Sequence, residues 1–336
     1  MEHLAPDLLT SLLRDVSRSF YLTLRVLPLS IRWQIGLAYL LARTTDSIAD
    51  TELVPVPDRL AALDALRARI AGTESAPLKF HSLAGAQAQP AERILLERAE
   101  EAVAALAKFS YSDQQRIREV LATITSGQEL DLQRFAGASG QRIVALQTDA
   151  ELHDYTYRVA GCVGEFWTRI CCAHLFLSAK PDEAALLADG LRFGQGLQLV
   201  NILRDLPADL RQGRCYLPEA GLRAAGLTPA DLLDPANEPR LRPLYHAHLD
   251  LAAAHLAAGW QYTNTIPWRF VRVRLACAWP VLIGVRTLAR LRTANPLDPA
   301  QRIKVSRGEV RSIIAGTLWR YPFPGAWRNL HARAAR

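Results

Sequence analysis

Apolar side chains recur at three- and four-residue spacings along most of this chain, which is the period of an amphipathic α-helix. The pattern is clearest over residues 191–203 and 275–288. Few segments alternate between apolar and polar residues as half-buried strands do. The one Asp-Gly pair, at 189–190, lies between helical patterns instead of marking a hairpin turn. The periodicity therefore predicts an all-α protein.

Capping residues mark where several of these helices begin. Thr228 is followed by Pro229 and, in the first turn, by Asp231, and residues 181–183 form a similar start. None of the predicted loops is a long flexible linker, and no internal repeat is apparent, so the simplest interpretation is one helical domain over residues 1–336. The predicted loops cover residues 54–57, 72–90, 136–140, 211–214 and 234–243.

The composition is that of a folded protein with a large core. Of the 336 residues, 50% are hydrophobic and 22% are charged, which excludes a wholly disordered chain. The net charge of +7 suits an anionic substrate, a membrane surface or a nucleic acid. No nucleic-acid-binding motif accompanies this charge, so we expect no nucleic-acid partner.

The cysteines and the apolar runs indicate a reduced, soluble protein. The five cysteines are odd in number and include no Cys-x-x-Cys pair, which disfavours a disulfide framework or a structural zinc site. The longest clean apolar runs, such as residues 275–285, are much shorter than the about 20 residues that span a bilayer. The N-terminal sequence also lacks the pattern of a signal peptide. We therefore predict a cytoplasmic location.

One predicted helix carries a polar stripe that ends in two aspartates. In the segment YLLARTTDSIAD, Tyr39, Arg43, Asp46 and Asp50 fall within roughly 60° of one another around a helix. Asp46 and Asp50 are one turn apart, about 6 Å along the axis. Like charges at that spacing repel each other, so on a mostly apolar helix they suggest a compensating cation.

A second predicted helix has a similar arrangement. Gln198, Asn201, Asp205 and Asp209 share one face within roughly 80°, and leucine, valine and isoleucine occupy the opposite face. Arg204 directly precedes the first of these aspartates. A polar stripe this concentrated is more typical of the wall of a binding site than of a solvated helix face.

Two such aspartate pairs predict a magnesium-dependent enzyme that binds a diphosphate. Mg²⁺ prefers oxygen ligands and typically combines one or two carboxylates with waters and substrate phosphates. Metal ions and arginines would neutralise the charge on a diphosphate leaving group, and an apolar bundle would keep water from the resulting carbocation. A single Asp-x-x-x-Asp pair is usually a solvated face. Two pairs, the second within Gln-x-x-Asn-x-x-Arg-Asp-x-x-x-Asp, weaken that alternative.

Several motifs, in the same order, resemble those of the squalene/phytoene synthase family. They are Ser17-Arg18-Ser19-Phe20, YLLARTTDSIAD, the stretch from Tyr155 to Gly164, and GLQLVNILRDLPADLRQGRCYLP. The resemblance covers roughly residues 17–308. It implies the isoprenoid synthase fold, which is a single-domain helical bundle with a central active-site cavity. It also implies head-to-head condensation of two prenyl diphosphates through a cyclopropyl intermediate.

The resemblance also implies roles for individual positions. Magnesium binding is implied for Asp46, Asp50, Asn201, Asp205 and Asp209. Contacts with diphosphate are implied for Ser17, Arg18, Ser19, Arg43, Arg204, Arg214 and Tyr216. Positions near the reacting carbons are implied for Tyr39, Tyr155 and Gln198. Tyr155 or the released diphosphate would accept the proton that is lost.

The small residues Ala160, Gly161 and Gly164 have two interpretations. They would allow an isoprenoid chain to pass close to the helix backbone, or they would allow two helices to pack tightly. The sequence favours neither interpretation over the other.

The C-terminal third resembles the squalene synthase branch of the family. The similarity lies in Cys277-Ala-Trp-Pro280 and in Lys304-Val-Ser-Arg-Gly308. In that branch the second segment helps to bind NADPH, so Lys304 and Arg307 are the implied cofactor contacts; ordinary surface charge explains them at least as well. No Gly-x-Gly-x-x-Gly motif indicates a Rossmann site. The expected activity is condensation of two farnesyl diphosphates to presqualene diphosphate and NADPH-dependent reduction to squalene.

Three positions depart from the family pattern. Thr45 stands where many relatives carry a further aspartate, and Ala208 stands where a glutamate would precede Asp209. Pro207 lies between the second pair of aspartates, where it removes a backbone donor and could bend the helix. These differences could change the affinity for metal ions.

Several alternatives stay open. The enzyme could stop at presqualene diphosphate, or act as a phytoene-type synthase without the reductive step. A non-catalytic assembly member of the family would be expected to lose aspartates that are intact here, and a single-substrate terpene cyclase fits the second motif poorly. Peripheral membrane contact through residues such as Trp268 and Arg269 also stays open. The sequence determines neither the prenyl chain length nor the oligomeric state.

Overall fold

The described part of the chain is almost entirely helical. A computed structural model describes residues 8–17, 20–177, 181–301 and 303–335. Within these ranges the strands are two residues long, and helices form the rest of the regular structure. The prediction of an all-α fold is therefore confirmed. No helix in the same ranges is both long and apolar enough to cross a membrane.

The α-helices differ widely in length and are joined mostly by short connections. They are α1 (Leu13–Ser17), α2 (Phe20–Val26), α3 (Leu29–Ala49), α4 (Val56–Ala71), α5 (His81–Gly85), α6 (Pro90–Glu97), α7 (Ala99–Ala104), α8 (Tyr111–Arg134), α9 (Asp149–Thr156), α10 (Cys162–His174), α11 (Glu183–Arg211), α12 (Glu219–Ala224), α13 (Glu238–Thr265), α14 (Val271–Leu291), α15 (Arg307–Arg320), α16 (Pro324–Arg328) and α17 (Leu330–Ala334).

Other regular segments are short. The strands are β1 (Val144–Ala145) and β2 (Arg214–Cys215). Turns of π-helix cover Leu8–Leu12 and Tyr157–Gly161, and turns of 3₁₀-helix cover Ala105–Lys108, Pro229–Leu233 and Pro235–Asn237.

The chain divides into two compact units. Unit 1 consists of the described parts of Met1–Gln133 and Phe166–Lys180, and unit 2 consists of those of Arg134–Glu165 and Pro181–Arg336. Each unit contains one of the two aspartate pairs that the sequence indicates. A single domain over residues 1–336 stays a prediction.

Helix α3 runs through the core of unit 1, where it packs against α1, α4, α6 and α7. Its apolar face is fully buried at Leu37 and Leu40. Thr44 and Thr45 are also fully buried, and their hydroxyls donate to the helix's own carbonyl oxygens, at 3.0 Å to Leu40 and 2.7 Å to Ala42. Thr45 is therefore part of the packed face and not of the acidic stripe.

Helix α11, 29 residues long, occupies the core of unit 2 and packs along α13 and α14. Glycines let backbones touch at its surface. A Cβ atom on Gly164 would lie 1.8 Å from the carbonyl oxygen of Gly190, and one on Gly194 would lie 2.1 Å from that of Ala160. Since real Cβ atoms do not approach so closely, the geometry favours tight helix packing at Gly164 over passage of an isoprenoid chain.

A short parallel strand pair holds the segment that follows α11. The N–H of Val144 donates to the carbonyl oxygen of Gly213 at 2.8 Å, and that of Leu146 donates to Cys215 at 3.0 Å. Gly213 has a φ of +84°, and a Cβ atom there would lie 2.3 Å from the backbone nitrogen of Ser139. The turn from α11 into β2 therefore requires glycine.

The predicted loop over residues 234–243 is wrong in its second half. After the 3₁₀ turn at Pro235–Asn237, α13 begins at Glu238 and continues through Pro239 and Pro243. Pro239 lies in the first turn, where a backbone N–H has no helical partner and proline is well tolerated. Pro239 is therefore compatible with the start of a helix and does not indicate a loop.

Other local predictions have mixed outcomes. The predicted caps are confirmed, because the N–H of Thr228 donates to the Asp231 carboxylate at 2.7 Å and the Asp182 carboxylate accepts from Ala185 at 3.1 Å. The predicted loop over residues 72–90, in contrast, contains α5. Short helices of this kind lack the repeated apolar period that makes longer ones visible in a sequence.

Replacing Gly213 by alanine is expected to lower the free energy of unfolding by at least about 2 kcal/mol. The added methyl group would overlap the backbone of Ser139, and a side chain disfavours the left-handed φ. Denaturant unfolding of the purified protein measures this change. Gly325→Ala is the matched control, because a Cβ atom at Gly325 meets nothing within 4 Å. Equal stability of Gly213→Ala and the unchanged protein would contradict this interpretation.

Candidate active site

The first aspartate pair lies at the C-terminal end of α3. Asp46 is in the last turn, and Asp50 caps the helix with its N–H donating to the carbonyl oxygen of Asp46 at 2.8 Å. Arg43 and Tyr39 precede them on the same helix, and the Tyr39 ring stacks on Phe20 with centroids 4.8 Å apart. The polar stripe that the sequence predicts is thus present in the structure.

Polar groups from two other helices of unit 1 surround this pair. Nη1 of Arg43 lies 3.6 Å from Oδ2 of Asp46, and Gln128 on α8 donates through Nε2 to Oδ1 of the same carboxylate. Nη2 of Arg43 donates to Glu92 on α6. Arg43 and Gln128 therefore hold the Asp46 carboxylate, whereas Glu92 takes up part of the positive charge of the arginine.

The negative charge of Asp46 is only partly compensated by its two partners, Arg43 and Gln128. Burial, and then the negative charge of Asp50, raise the pKa of Asp46 to about 7 against the opposing effects of Arg43 and Gln128. The side chain nevertheless keeps 44% of its surface exposed, so a cation can reach it from solvent. A cation that binds beside the pair, in addition to Arg43, would favour the ionised form of both carboxylates.

The second aspartate pair lies in the last turns of α11. Arg204 forms a bidentate ion pair with Asp205, with Nε 2.9 Å from Oδ1 and Nη2 2.5 Å from Oδ2, and this hydrogen bond raises the pKa of the arginine. Nδ2 of Asn201 donates to Oε1 of Gln198 at 3.4 Å. Asp209 is half-buried one turn further along. Since the Asp205 side chain is 45% exposed, its carboxylate is also accessible to a cation.

Pro207 lies between these two aspartates, yet α11 continues through it to Arg211. Proline has no N–H, so the carbonyl oxygen of Leu203, one turn back, loses its usual helical donor. The hydroxyl of Tyr245 on α13 donates to that oxygen at 2.9 Å. Tyr245 is 1% exposed, and burial raises the pKa of its phenol. A buried tyrosine therefore replaces the donor that the proline removes.

Tyr155 and Tyr216 stack on each other with ring centroids 4.7 Å apart, and Phe135 meets Tyr216 edge-on at 5.2 Å. All three rings are buried. Tyr155 lies in the last turn of α9, and Tyr216 directly follows β2. The short strand pair thus brings together two residues to which the family resemblance assigns different roles.

The π-helical turn Tyr157–Gly161 begins directly after α9. Gln195 on α11 donates through Nε2 to the carbonyl oxygen of His153 at 3.3 Å and to Oγ1 of Thr156 at 3.4 Å. Gln195 is 1% exposed, so these bonds fix the end of α9, from which the π-helical turn continues, against α11. Turns of π-helix are often found at functional sites.

Neither aspartate pair is a complete metal site by itself. In the ranges that the structure describes, no group of three or more His, Cys, Asp or Glu side chains is arranged to hold a metal ion. Mg²⁺ usually takes one or two carboxylates from a protein and completes its shell with waters and phosphate oxygens. Two carboxylates one turn apart, with a raised pKa at Asp46, fit that mode of binding.

The sequence profile of the squalene/phytoene synthase family matches residues 13–309, which include both aspartate pairs. The chain belongs to the squalene/phytoene synthase family. The resemblance that the sequence motifs indicate is therefore confirmed. The family is one of prenyltransferase-type enzymes.

Named members of the family are similar over much of this chain. A presqualene diphosphate synthase from Sinorhizobium fredii is 30% identical over 258 residues, which are 76% of this chain and 77% of that protein. A bifunctional lycopene cyclase/phytoene synthase from Gibberella fujikuroi is 31% identical over 257 residues, 72% of this chain but 40% of that protein. The chain thus spans less than half the length of this bifunctional relative.

Solved structures of the family show the same fold. A ligand complex of the protein TcSQS superposes with a TM-score of 0.75 at 21% identity and covers 98% of both chains. The squalene synthase HpnC from Alicyclobacillus acidocaldarius superposes with a TM-score of 0.63 at 22% identity over 88% of this chain and 96% of that one. These likenesses confirm the prediction of the isoprenoid synthase helical fold.

Most of the residues that the family resemblance indicates fall into one group in each unit. In unit 1, α3 carries Tyr39, Arg43, Asp46 and Asp50. In unit 2, α11 and the segment after it carry Gln198, Asn201, Arg204, Asp205, Asp209, Arg214 and Tyr216, with Tyr155 stacked on the last of these.

The remaining predicted residues of the family site are placed less fully. Arg18 and Ser19 lie outside the described residues. Ser17 is buried at the end of α1, and its hydroxyl has no hydrogen-bond partner among the described residues. Lys304 and Arg307 are exposed near the start of α15, and their role in cofactor binding stays a prediction.

Three residues of this family member contribute to the pairs but were not predicted from its sequence: Gln128, Glu92 and Tyr245. Gln128 contacts a carboxylate 82 positions away, and Glu92 contacts an arginine 49 positions away. A glutamine on a buried helix face is a weak signal, and a glutamate in the first turn of a helix is ordinary. For Tyr245 a signal did exist, because Pro207 inside a helix requires some other donor for the Leu203 carbonyl.

Tyr245→Phe is expected to destabilise the protein by about 1–3 kcal/mol, because it leaves the Leu203 carbonyl oxygen buried without a donor. The same change should cost less in a Pro207→Ala background, where the new N–H of residue 207 can donate to that oxygen. Chemical unfolding of the four proteins of this double-mutant cycle measures the coupling, expected to be about 1 kcal/mol. Additive effects would show that Tyr245 does not replace the missing donor.

Asp46→Asn is expected to stabilise the metal-free protein most at about pH 8 and less at about pH 5, and to have little effect only below the unfolded pKa of 3.8. The pKa of Asp46 is raised from 3.8 to about 7 by folding, so the folded state binds more protons between these values and loses stability as the pH rises. Thermal unfolding in a chelator at both pH values measures the difference. A variant that is less stable than the unchanged protein at the higher pH would contradict this interpretation.

Proposed function

We propose that the protein condenses two prenyl diphosphates head to head. In its full form the proposal is that two farnesyl diphosphates give presqualene diphosphate, which NADPH then reduces to squalene. The observation that carries it is the presence, on α3 and on α11, of two aspartates one turn apart with an arginine beside the first of them. Carboxylates one turn apart repel each other, so this arrangement on two separate helices is not expected of ordinary solvated surfaces.

The names of the relatives support the condensation step. The Sinorhizobium fredii relative is named for making presqualene diphosphate, and other relatives are named phytoene synthases. Both names describe products in which two prenyl diphosphates are joined. The alignment with the Sinorhizobium fredii relative covers about three quarters of both chains. This coverage supports proposing the same kind of reaction for this protein.

In the proposed first step the carbon–oxygen bond of one prenyl diphosphate breaks to give an allylic cation and diphosphate. Magnesium, when bound, would supply positive charge that stabilises the leaving diphosphate. Asp46, Asp50, Asp205 and Asp209 would hold it, with Asn201 as a further oxygen ligand. Both pairs keep solvent access, as such ligands require.

The two arginines would add fixed positive charge to the diphosphate groups. Arg43 lies 3.6 Å from Asp46 and Arg204 2.5 Å from Asp205, so each stands beside one carboxylate pair. A guanidinium group binds phosphate oxygens through several N–H donors and cannot lose its charge. Arg43 is further oriented by Glu92, which limits its freedom without removing its Nη1 from the carboxylate.

In the second part of the step the double bond of the other substrate attacks the cation, and loss of a proton closes the cyclopropane ring. The proton acceptor is either the hydroxyl of Tyr155 or the released diphosphate. Tyr155 is 8% exposed and its ring is fixed against Tyr216. Rigid aromatic walls of this kind keep water from a carbocation and stabilise its charge.

The reductive step would transfer hydride from NADPH to the cyclopropyl intermediate as the second diphosphate leaves. Lys304 and Arg307, exposed near the start of α15, are the proposed contacts for the cofactor phosphates. A second candidate function is an enzyme that stops at presqualene diphosphate or makes phytoene. The names of the relatives at 30% and 31% identity favour this candidate for the final product.

Incubation of the purified protein with farnesyl diphosphate and Mg²⁺, with and without NADPH, is expected to give squalene only when NADPH is present. Presqualene diphosphate in both reactions would identify the first-step enzyme. Phytoene from geranylgeranyl diphosphate would identify the phytoene-type synthase. No turnover of either substrate would contradict the proposed function and favour a non-catalytic member of the family.

Asp46→Ala and Asp205→Ala serve as the site variants in this assay and should each lower turnover by at least about a hundredfold. Asp64→Ala and Asp250→Ala are the matched controls, because both carboxylates are exposed and pair with single arginines on the surface. Control variants that lose activity to the same extent would show that the effect is not specific to the pairs.

A further inference from the structure

The excess of positive over negative charge in this protein lies in its C-terminal quarter. Residues 251–336 contain 14 of the 40 lysine and arginine residues but two of the 33 acidic residues, Asp298 and Glu309. This segment therefore has a formal net charge of +12, whereas residues 1–250 have a net charge of −5. Such asymmetry is typical of a chain that binds an anionic surface with one face.

Large apolar side chains are exposed in the same segment. Trp319 is 76% exposed, Phe323 57%, Leu318 52%, Trp268 38% and Val271 37%. Single exposed apolar residues are normal on protein surfaces, but a group of them calls for an explanation. We call these five residues, together with Arg269, Arg272 and Arg320, the C-terminal face.

Contacts among neighbouring residues show that the C-terminal face is one region of unit 2. The Trp268 ring stacks on Tyr321 with centroids 4.4 Å apart, and the Tyr321 hydroxyl donates to the carbonyl oxygen of Trp268 at 2.5 Å. Phe323 follows in the next turn, with its N–H donating to Arg320 at 3.0 Å. The segment before α14 and the end of α15 are therefore adjacent.

The two helices that carry the C-terminal face run antiparallel. Arg290, near the end of α14, pairs with Glu309 at the start of α15 at 2.5 Å. Nε1 of Trp279, in the middle of α14, donates to Oγ1 of Thr317, in the last turn of α15, at 3.0 Å. The end of α15, with Trp319, must then lie beside the start of α14. The acidic Glu309 is at the opposite end of this helix pair.

A buried arginine fixes the aromatic part of the face from behind. Arg274 is 3% exposed and donates to the carbonyl oxygens of Asn264 and Ile266 at 3.1 and 2.6 Å. Its guanidinium group lies 4.6 Å from the ring centre of Trp268 and 5.3 Å from that of Trp327. The exposed edge of Trp268 is thus held in place before any partner binds, which lowers the entropic cost of binding.

We infer that the C-terminal face binds the surface of an anionic lipid bilayer. Tryptophan and phenylalanine partition into the interface between headgroups and acyl chains, and arginines beside them pair with lipid phosphates. Stable attachment takes both an apolar and an electrostatic contribution, and this face supplies both. Leucine and valine among the exposed residues favour a bilayer over a nucleic acid, which offers them no apolar phase. This inference does not rest on the proposed function, since it needs no substrate.

Vesicle binding of the full chain without substrate tests the inference. Vesicles of phosphatidylglycerol and phosphatidylcholine should sediment with the protein, and vesicles of phosphatidylcholine alone should bind it much more weakly. Trp319→Ala/Phe323→Ala should weaken partitioning on the order of tenfold, because two apolar anchors are removed. Arg269→Gln/Arg272→Gln should weaken binding to the anionic vesicles by a similar factor and reduce its sensitivity to salt.

Matched control variants carry the same kinds of change elsewhere on the surface. Tyr111→Ala/Leu53→Ala removes two apolar side chains that are 74% and 83% exposed, and Lys79→Gln/Arg223→Gln removes two exposed charges. Both controls should bind vesicles as the unchanged protein does. Bromine-labelled lipids should quench the tryptophan fluorescence of the unchanged protein. The quenching should be smaller in Trp319→Phe, because the exposed Trp319 is the side chain expected to enter the bilayer.

Equal binding of the face variants and the controls would overturn the inference, as would failure of the unchanged protein to bind anionic vesicles. A third outcome would also overturn it. If the unchanged protein is a dimer in gel filtration, Trp319→Ala/Phe323→Ala is a monomer and neither binds vesicles, the face contacts a second copy of the chain and not a bilayer.

Discussion

Asp46 and Asp50 are held one helical turn apart in a partly buried setting, and their mutual repulsion is the constraint on which the proposed chemistry depends. Arg43 and Gln128 compensate it incompletely, so burial, together with the negative charge of Asp50, raises the pKa of Asp46 to about 7. A protein that keeps this cost in the resting state gains affinity for whatever cation relieves it. The same four side chains therefore account for a local loss of stability and support the proposed magnesium dependence.

The second pair is organised differently. Asp205 already has a bidentate arginine partner, so the cost on α11 lies in the backbone and not in uncompensated charge. Pro207 interrupts the hydrogen bonds of the helix between the aspartates, and Tyr245 from α13 restores the missing one. The spacing of this pair thus depends on a neighbouring helix, whereas the spacing of the first pair depends on α3 alone.

The position of the charges along the chain distinguishes binding of an anionic substrate from binding of an anionic surface, which the overall net charge does not. A net charge of +7 suits an anionic substrate, yet residues 1–250, which carry both aspartate pairs, are net negative. Positive charge near the pairs is supplied by single arginines, and the excess lies in the C-terminal segment with its exposed aromatic residues. The net charge of a chain is therefore a weaker guide to its ligand than the position of each charge.

Local periodicity was enough to determine the helical class, the capping of several helices and the spacing of the carboxylates, because a turn of α-helix fixes which residues share a face. The motif order was enough to indicate the family. Three contacts around the pairs come from other helices, at separations of 82, 49 and 42 positions, and no local period predicts them: Gln128 with Asp46, Glu92 with Arg43, and Tyr245 with the Leu203 carbonyl oxygen. The start of α13 was missed for a different reason, since proline is tolerated in the first turn of a helix, where Pro239 lies. The helices, their caps and the spacing of the carboxylates thus follow from the sequence. The raised pKa of Asp46 and the continuity of α11 through Pro207 depend on side chains that are distant in the sequence and are determined only by the tertiary structure.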